Sequence, residues 1–275
     1  MTCFDTSLGP VAIRELYTMD DMIAAEKIQL LVWGAETTPH PKEMLIPVQY
    51  EGGLLAGAYS PGGNMVGLIF HFPTRDPLVV HSQMLAVIVE WRGEGIGRQL
   101  KWFQRRWCLE RGISRVRWTV DPLRAANAEL NIRRLGAVSS TYLPDYYGPM
   151  QGIDAGAPTD RLLVEWHLTS AWVSSLAEGS PAAPPTPDAG FPQAMPALQV
   201  NECGPVNLNP DFAGSPVLVS LPENFIHLSK MDPSLALVWR MTTRDLFIRA
   251  FAAGYAITGF TRVGGPAYLL EKEIP

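Results

Sequence analysis

The chain has 275 residues, of which 47% are hydrophobic and 18% are charged, so it is long enough for one large domain or two smaller ones with a sizeable core. This composition argues against a globally disordered chain. The formal net charge is −5, and such an acidic balance argues against a protein that coats nucleic acid.

The sequence also argues against a membrane-spanning protein and against a metal-binding protein. No apolar stretch approaches the roughly 18 residues of a membrane-spanning helix, and the first ten residues lack the basic and apolar regions of a signal peptide. Cys3, Cys108 and Cys203 are scattered and odd in number, which predicts neither a disulfide framework nor a metal site. We therefore expect a cytoplasmic protein without a membrane partner.

A proline-rich stretch divides the chain. Residues 178–196 contain six prolines among small residues, and such a stretch cannot propagate a helix or a sheet. We therefore predict a first domain over residues 1–172, a proline-rich linker over 173–197 and a smaller α+β domain over 198–275.

The first domain mixes strand and helix patterns. The predicted elements are, in chain order, a strand at 11–16, a helix from the N-cap Thr18 to Gly34, a short helix near 39–47, strands at 54–59, 65–72 and 79–89, a helix at 95–111, a strand at 114–120, a helix at 125–135, and strands at 137–143 and 161–168. Short hairpin connections make most neighbouring strands antiparallel, whereas the helix at 95–111 is a crossover that makes its two flanking strands parallel. The sequence therefore predicts an α+β fold with a mixed, mostly antiparallel sheet and one parallel pair.

The sequence predicts a strand, a helix and a hairpin in the C-terminal region. The strand is predicted at 217–221, the helix runs from Asp232-Pro233 to Gly254, and the hairpin covers 255–271. This order repeats the end of the first domain, so our hypothesis is a degenerate half of a second unit of the same fold. Three roles stay open for it: covering a cleft of the first domain, completing the sheet, or mediating a homodimer.

The segment 85–98 (LAVIVEWRGEGIGR) is the part of the sequence that indicates chemistry. A strand runs into a glycine-rich turn that opens a helix, and Gly93, Gly95 and Gly97 allow a ligand to approach the backbone closely. Free N–H groups of the first helical turn suit a phosphate. The net charge is +6 between Arg92 and Trp118, against −5 for the whole chain. We therefore expect a polyanionic ligand, with Arg92 and Arg98 beside the glycines.

The residues Arg92-Gly93-Glu94-Gly95-Ile96-Gly97 resemble the Arg/Gln-x-x-Gly-x-Gly/Ala motif of the GNAT (Gcn5-related N-acetyltransferase) superfamily. Leu85-Ala86-Val87 is similar to the strand segment that precedes this motif, and the element order resembles the GNAT fold over about residues 10–168. The resemblance implies that acetyl-CoA binds as acyl donor, with its pantetheine arm against the backbone of Leu85, Ala86 and Val87 between two splayed parallel strands. Its pyrophosphate would lie on the amides of Arg92–Gly97.

The family pattern is incomplete on the last helix of the first domain. Many GNAT members carry a Tyr there as general acid, and Ile132 occupies that position. Their frequent Asn falls on Ala125, with Asn127 nearby as the predicted cofactor-binding residue. Candidate replacements for the acid lie just downstream: Tyr142, Tyr146 and Tyr147.

The resemblance also suggests a general base. Some GNAT members carry a Glu four residues before the segment that matches Leu85-Ala86-Val87, and His81 has that position here. An imidazole is a suitable proton acceptor near neutral pH. His71, Glu90 and a water chain are the alternatives.

These residues and the family resemblance leave three alternative functions. The first is an N-acyltransferase that moves an acetyl group from acetyl-CoA to a small amine or peptide acceptor, without a metal. The second is a non-catalytic, CoA-ester-binding or regulatory protein on the same scaffold. The third is a nicotinamide enzyme in which Asp121 would bind a ribose, although Arg98 then occupies the third glycine position of the dinucleotide motif.

Overall fold

The computed structural model describes residues 1–35, 38–148, 158–178, 191, 193–201 and 203–272, in two compact units that divide between Trp118 and Thr119. Most of the predicted proline-rich linker lies outside the described residues. Among the residues that are described, no helix is long and apolar enough to cross a membrane. The predicted domain division at residues 172 and 198 stays a prediction.

The first unit consists of a sheet and three α-helices. Its elements are β1 (Thr2–Thr6), β2 (Gly9–Glu15), α1 (Met19–Trp33), α2 (Lys42–Tyr50), β3 (Leu54–Tyr59), β4 (Met65–Pro73), β5 (Val79–Val87), α3 (Ile96–Leu109) and β6 (Arg115–Val120), whose last two residues belong to the second unit. The strands lie in the order β1-β2-β3-β4-β5-β6. All neighbours are antiparallel except β5 and β6, which are parallel. This confirms the predicted α+β class and the predicted crossover.

Strand β1 has no pattern in the sequence that predicts it. None of its five residues is buried, and its half-exposed positions alternate with exposed ones. It pairs with β2 at the edge of the sheet, so backbone hydrogen bonds hold it while its side chains leave no buried apolar stripe to detect.

Gly67 allows α3 to approach the sheet closely. A Cβ atom at Gly67 of β4 would lie 2.9 Å from Cγ2 of Ile96 and 3.0 Å from Cδ1 of Leu100. Both side chains are buried and lie in the first turns of α3. Any larger residue at 67 would therefore push away the helix start that follows the glycine-rich turn.

In the described part of the second unit, seven strands form a sheet. Its elements are α4 (Ala125–Ala128), β7 (Val138–Leu143), β8 (Arg161–His167), α5 (Ala171–Ala177), β9 (Met195–Asn201), β10 (Gly204–Asn207), β11 (Val217–Ser220), α6 (Phe225–Met231), α7 (Pro233–Ala252), β12 (Ala256–Thr261) and β13 (Ala267–Glu271). The strands lie in the order β8-β7-β12-β13-β11-β9-β10. β12 pairs with β7 through Ile257 and Ser139, so the predicted C-terminal hairpin extends the sheet of β7 and β8.

Several sequence predictions for this unit need correction. The structure has α5, β9, β10 and α6, which the sequence analysis did not predict; α5 and β9 overlap the two ends of the predicted linker. The strands β9 and β11 are parallel, and this pair lies outside the first-domain sheet, for which one parallel pair was predicted. These elements are short and half-exposed, and therefore lack a long apolar period.

The helix predicted at 125–135 changes its hydrogen bonding halfway. Ala125–Ala128 are α-helical, but Glu129–Arg134 form a π-helix, and the N–H of Leu135 donates to the carbonyl oxygen of Leu130 at 3.0 Å. Arg133 and Arg134 both contact the carboxylate of Glu129 at 2.8 Å. The sequence period does not distinguish this widened turn from an α-helix.

Candidate active site

The glycine-rich turn adopts a backbone that favours glycine. After β5, residues Val89–Trp91 form one 3₁₀ turn, and Gly93 and Gly95 follow with φ values of 89° and 79°. Gly95 is the N-cap of α3, in the left-handed conformation. A Cβ atom at either glycine would meet nothing within 4 Å. The requirement for glycine is therefore conformational rather than steric.

The start of α3 presents free amides. The N–H of Gln99 donates to the carbonyl oxygen of Gly95 at 3.0 Å and is the first intrahelical bond. The N–H groups of Ile96, Gly97 and Arg98 precede it, and helix geometry gives them no acceptor. Together with the positive end of the helix dipole, they form a site for an anion.

Two contacts hold this turn in place. The carboxylate of Glu94 accepts hydrogen bonds from the N–H of Ser7 at 2.8 Å and from its hydroxyl at 2.6 Å, which ties the turn to the β1–β2 hairpin. These bonds lower the pKa of Glu94. The Nε of Arg92 donates to the carbonyl oxygen of Val87 at 3.1 Å. The predicted site residues Arg92 and Glu94 therefore shape the turn through their own side chains.

Strands β5 and β6 separate just beside this turn. They pair over only three positions, from Val79–His81 to Arg115–Arg117. On the other side, β5 pairs with β4 as far as Val87, with a bulge that places one extra residue between Ser82 and Met84. Leu85, Ala86 and Val87 therefore lie on the part of β5 that has no partner on the β6 side among the residues described in the first unit. This fork leaves backbone groups available to an extended ligand.

A buried lysine occupies the apex of the fork. The Nζ of Lys101, on α3, donates to the hydroxyl of Ser82 on β5 at 3.2 Å and lies 3.7 Å from the ring centroid of Trp118 on β6. Ser82 and Trp118 follow the last paired positions of their strands. The same Nζ donates to Oε1 of Gln104 at 2.9 Å, and Gln104 contacts Nδ1 of His71. In the sequence, Lys101 is one more basic residue between Arg92 and Trp118, and no pattern there indicates this buried position.

Burial lowers the pKa of Lys101 to about 7 from its usual 10.5. The unfolded chain therefore holds one more proton than the folded chain between about pH 7 and 10.5, and folding stability must rise with pH across that window. We expect the free energy of unfolding of the native protein to rise by roughly 1.4 kcal/mol per pH unit relative to Lys101→Met. Urea unfolding of both proteins between pH 7 and 9 measures this, and parallel pH profiles would contradict it.

His81 lies on β5 at the last position before the fork. Its ring stacks on Phe72 with centroids 5.0 Å apart, and its register partner on β6 is Arg117. Burial, followed by the charges of Arg117 and Lys101, lowers the pKa of His81 below its usual 6.5. The imidazole is therefore neutral at pH 7 and can accept a proton. Its rival His71 is fully buried against Gln104, with its pKa lowered to about 3.

The predicted tyrosines lie in the second unit and differ in environment. The hydroxyl of Tyr142 is buried and donates to Oδ2 of Asp160 at 2.7 Å, and burial raises its pKa. Asp160 also contacts Arg244. This geometry favours a structural role for Tyr142. Tyr146 and Tyr147 are exposed, their rings lie edge to face at 4.7 Å, and the Tyr147 hydroxyl contacts Thr119 at 2.8 Å.

Two further predicted residues belong to the second unit. Asn127 is half-buried on α4, and its N–H donates to the carbonyl oxygen of Arg124. Asp121 is buried, and both of its carboxylate oxygens accept from Arg240 at 2.8 Å. This carboxylate is therefore engaged and not available to a ribose, which argues against the nicotinamide interpretation. Within the described ranges, no group of three or more His, Cys, Asp or Glu side chains is arranged for a metal ion.

The comparisons with known proteins gave one family match and several similar solved structures. Residues 22–136 match the model of the acetyltransferase (GNAT) family. No curated protein matches the chain. Similar solved structures include the ribosomal-protein-S18-alanine N-acetyltransferase from Escherichia coli, with 20% identity and a TM-score of 0.48 over 58% of this chain and 96% of that one.

Two other solved structures cover the same share of this chain. Ard1 from Thermoplasma volcanium has 18% identity and a TM-score of 0.46, over 58% of this chain and 99% of that one. The putative acetyltransferase yncA from Salmonella typhimurium, solved with acetyl-CoA, has 16% identity and a TM-score of 0.48, over 58% and 95%. On the family match, residues 22–136 of this chain are a GNAT acetyltransferase domain.

Proposed function

We propose that the protein transfers an acetyl group from acetyl-CoA to an amine. The observation that carries the proposal is the combination, in one unit, of the β5–β6 fork with the free amides of the glycine-rich turn. At the fork, the backbone of Leu85, Ala86 and Val87 has no partner on the β6 side among the residues described in the first unit, so it can pair with an extended pantetheine arm. The turn offers three N–H groups to a pyrophosphate. Gly93 and Gly95 fit this ligand because their positive φ values shape the turn that presents these N–H groups.

The reaction joins the amine nitrogen to the thioester carbonyl carbon. The new C–N bond forms, the C–S bond breaks, and the sulfur leaves with the bonding electron pair as the CoA thiolate. The amine proton passes to a base, so that the products are an amide and free CoA. A backbone N–H near Val87 would stabilise the oxyanion of the intermediate. A thiolate is a good leaving group, so a general acid assists this reaction without being essential.

His81 is the base in this proposal. It is neutral at pH 7 because burial and neighbouring cations oppose its protonation. Its position, directly before the unpaired part of β5, places it at the edge of the fork. Tyr146 and Tyr147 lie in the second unit, and their role as proton donors stays a prediction from the sequence.

Substitution of His81 tests the proposal. We expect His81→Gln to lower kcat about 100-fold or more and to leave the Kd for acetyl-CoA unchanged. In the native protein, kcat/KM should rise with pH through a pKa below 6.5, and the variant should lose this limb. Steady-state kinetics between pH 5 and 8.5 measure both effects, with the exposed His167→Gln as matched control.

The second function, CoA-ester binding without turnover, has one supporting feature. Ile132 occupies the position of the family Tyr, and the hydroxyl of Tyr142 is already held by Asp160. Calorimetry with acetyl-CoA together with a screen of amine acceptors separates the two functions. Tight binding with no amide product from any amine would favour the second function.

A further inference from the structure

A basic groove lies beside the proposed base. It has a volume of about 630 Å³, and its polar lining consists of Thr74, Arg75, Asp76, His81, Arg115 and Arg117, all from the first unit. Its floor is the short stretch where β5 and β6 are paired, and Phe72 forms an apolar wall. Nothing in the proposed binding of acetyl-CoA uses these residues.

The groove has an excess of positive charge. Arg115 contacts Asp76 at 3.6 Å, so these two charges largely balance. Arg75 and Arg117 form no ion pair with any acidic side chain in the described part of the chain. Two guanidinium groups without a counter-charge therefore face one groove of a protein whose formal net charge is −5. Such a site attracts an anion.

The side chains of the groove limit which chemical groups its ligand can carry. A guanidinium presents a planar fork of donors that matches a carboxylate or a phosphate. Arg117 is the register partner of His81, and neighbouring strands lie only about 4.8 Å apart. An anion on Arg117 and an amine near His81 are therefore close enough to be two groups of one small molecule.

We propose that the groove binds the acceptor substrate, and that the acceptor is a small amine with a carboxylate or a phosphate near its amino group, held by Arg117 and Arg75. This inference rests on the proposed acetyl transfer and specifies its substrate class. Thr74 and Phe72 close the same groove around the remainder of the acceptor.

The binding arm of the test uses simple anions as probes. The full chain is first saturated with coenzyme A, which occupies the glycine-rich turn, and is then titrated with inorganic phosphate or acetate while its Tm is recorded. We expect the Tm to rise with at least one anion, and this rise to be absent in Arg117→Met. The matched control Arg249→Met removes a half-exposed arginine of the second unit and should keep the shift. Equal shifts in the native protein and Arg117→Met would overturn the proposal.

The activity arm compares amines that differ only in the anion. The pairs are glycine with glycinamide and O-phosphoethanolamine with ethanolamine, so the two arms distinguish a carboxylate from a phosphate. In the native protein we expect kcat/KM to favour the anionic member of one pair at least 10-fold. Arg117→Met should lose this preference, and Arg117→Lys, which keeps the charge without the fork, should recover part of it. Turnover of both members at equal rates would overturn the proposal.

The two proposals fail in different ways. If acetyl-CoA does not bind the native protein in calorimetry, the acetyl transfer fails. If acetyl-CoA binds and amines are acetylated, but Arg117→Met changes neither the anion shift nor the preference, only the acceptor proposal fails. When none of the four amines is turned over, the anion titration alone decides for or against the groove.

Discussion

Gly95→Glu should raise the Kd of acetyl-CoA about 100-fold or more. Gly95 has φ 79° and ψ 0°, a conformation that costs a residue with a Cβ atom about 1–2 kcal/mol. Relief of this strain rotates the amides at the start of α3 away from the ligand. The new carboxylate also repels a pyrophosphate at the same helix N-terminus. Together the two effects reach about 3 kcal/mol, which corresponds to roughly 100-fold in affinity.

The control for this variant is a second glycine, just beyond the other end of the same helix. Gly112 follows the C-terminal end of α3 with φ 72°, and a Cβ atom there would also meet nothing within 4 Å. We expect Gly112→Glu to lower stability about as much as Gly95→Glu and to bind acetyl-CoA like the native protein. Calorimetry gives both Kd values. Normal binding by Gly95→Glu would remove the turn from the proposed site.

Arg240→Met should lower the free energy of unfolding by about 3–5 kcal/mol. Arg240, on α7, holds both oxygens of Asp121 at 2.8 Å, and their side chains are only 3% and 6% exposed. Without the guanidinium, the carboxylate of Asp121 stays buried beside Arg124 at 3.8 Å as its remaining cation. Urea unfolding followed by circular dichroism measures the loss.

A second substitution separates the charge from general packing. Adding Asp121→Asn to Arg240→Met removes the buried negative charge and should recover a large part of the stability. The Oδ1 of an asparagine can still accept from the N–H of Leu123, as the carboxylate of Asp121 does at 2.9 Å. The exposed-site control Arg249→Met should lose less than about 1 kcal/mol. If Arg240→Met also loses less than about 1 kcal/mol, the buried pair of Arg240 and Asp121 contributes little to the free energy of unfolding.

The features that depend on residues close together in the chain could be predicted from the sequence. Thr18 and Asp21 form the capping box of α1, as the spacing indicated, and the start of α7 follows Asp232-Pro233. The period of α3 and the alternation in β6 are strong because one face of each is buried. The crossover then fixes β5 and β6 as parallel. The glycine-rich turn could likewise be read directly, because positive φ values demand glycine at 93 and 95.

Which polar residues are buried, and what they contact, is visible only in the folded chain. Lys101 looks like one more basic residue of a surface helix, yet packing places it between two separating strands. Tyr142 looks like a free phenol, but its hydroxyl donates to Asp160, which lies 18 positions later in the chain. Arg244, about 100 positions later, contacts the same carboxylate, and Phe247 stacks on the ring of Tyr142. Local periodicity carries no information on such distant partners, because burial of a polar group depends on the elements that pack over it. The pairing of β12 with β7 and the basic groove have the same origin, since both arise where segments far apart in the sequence meet.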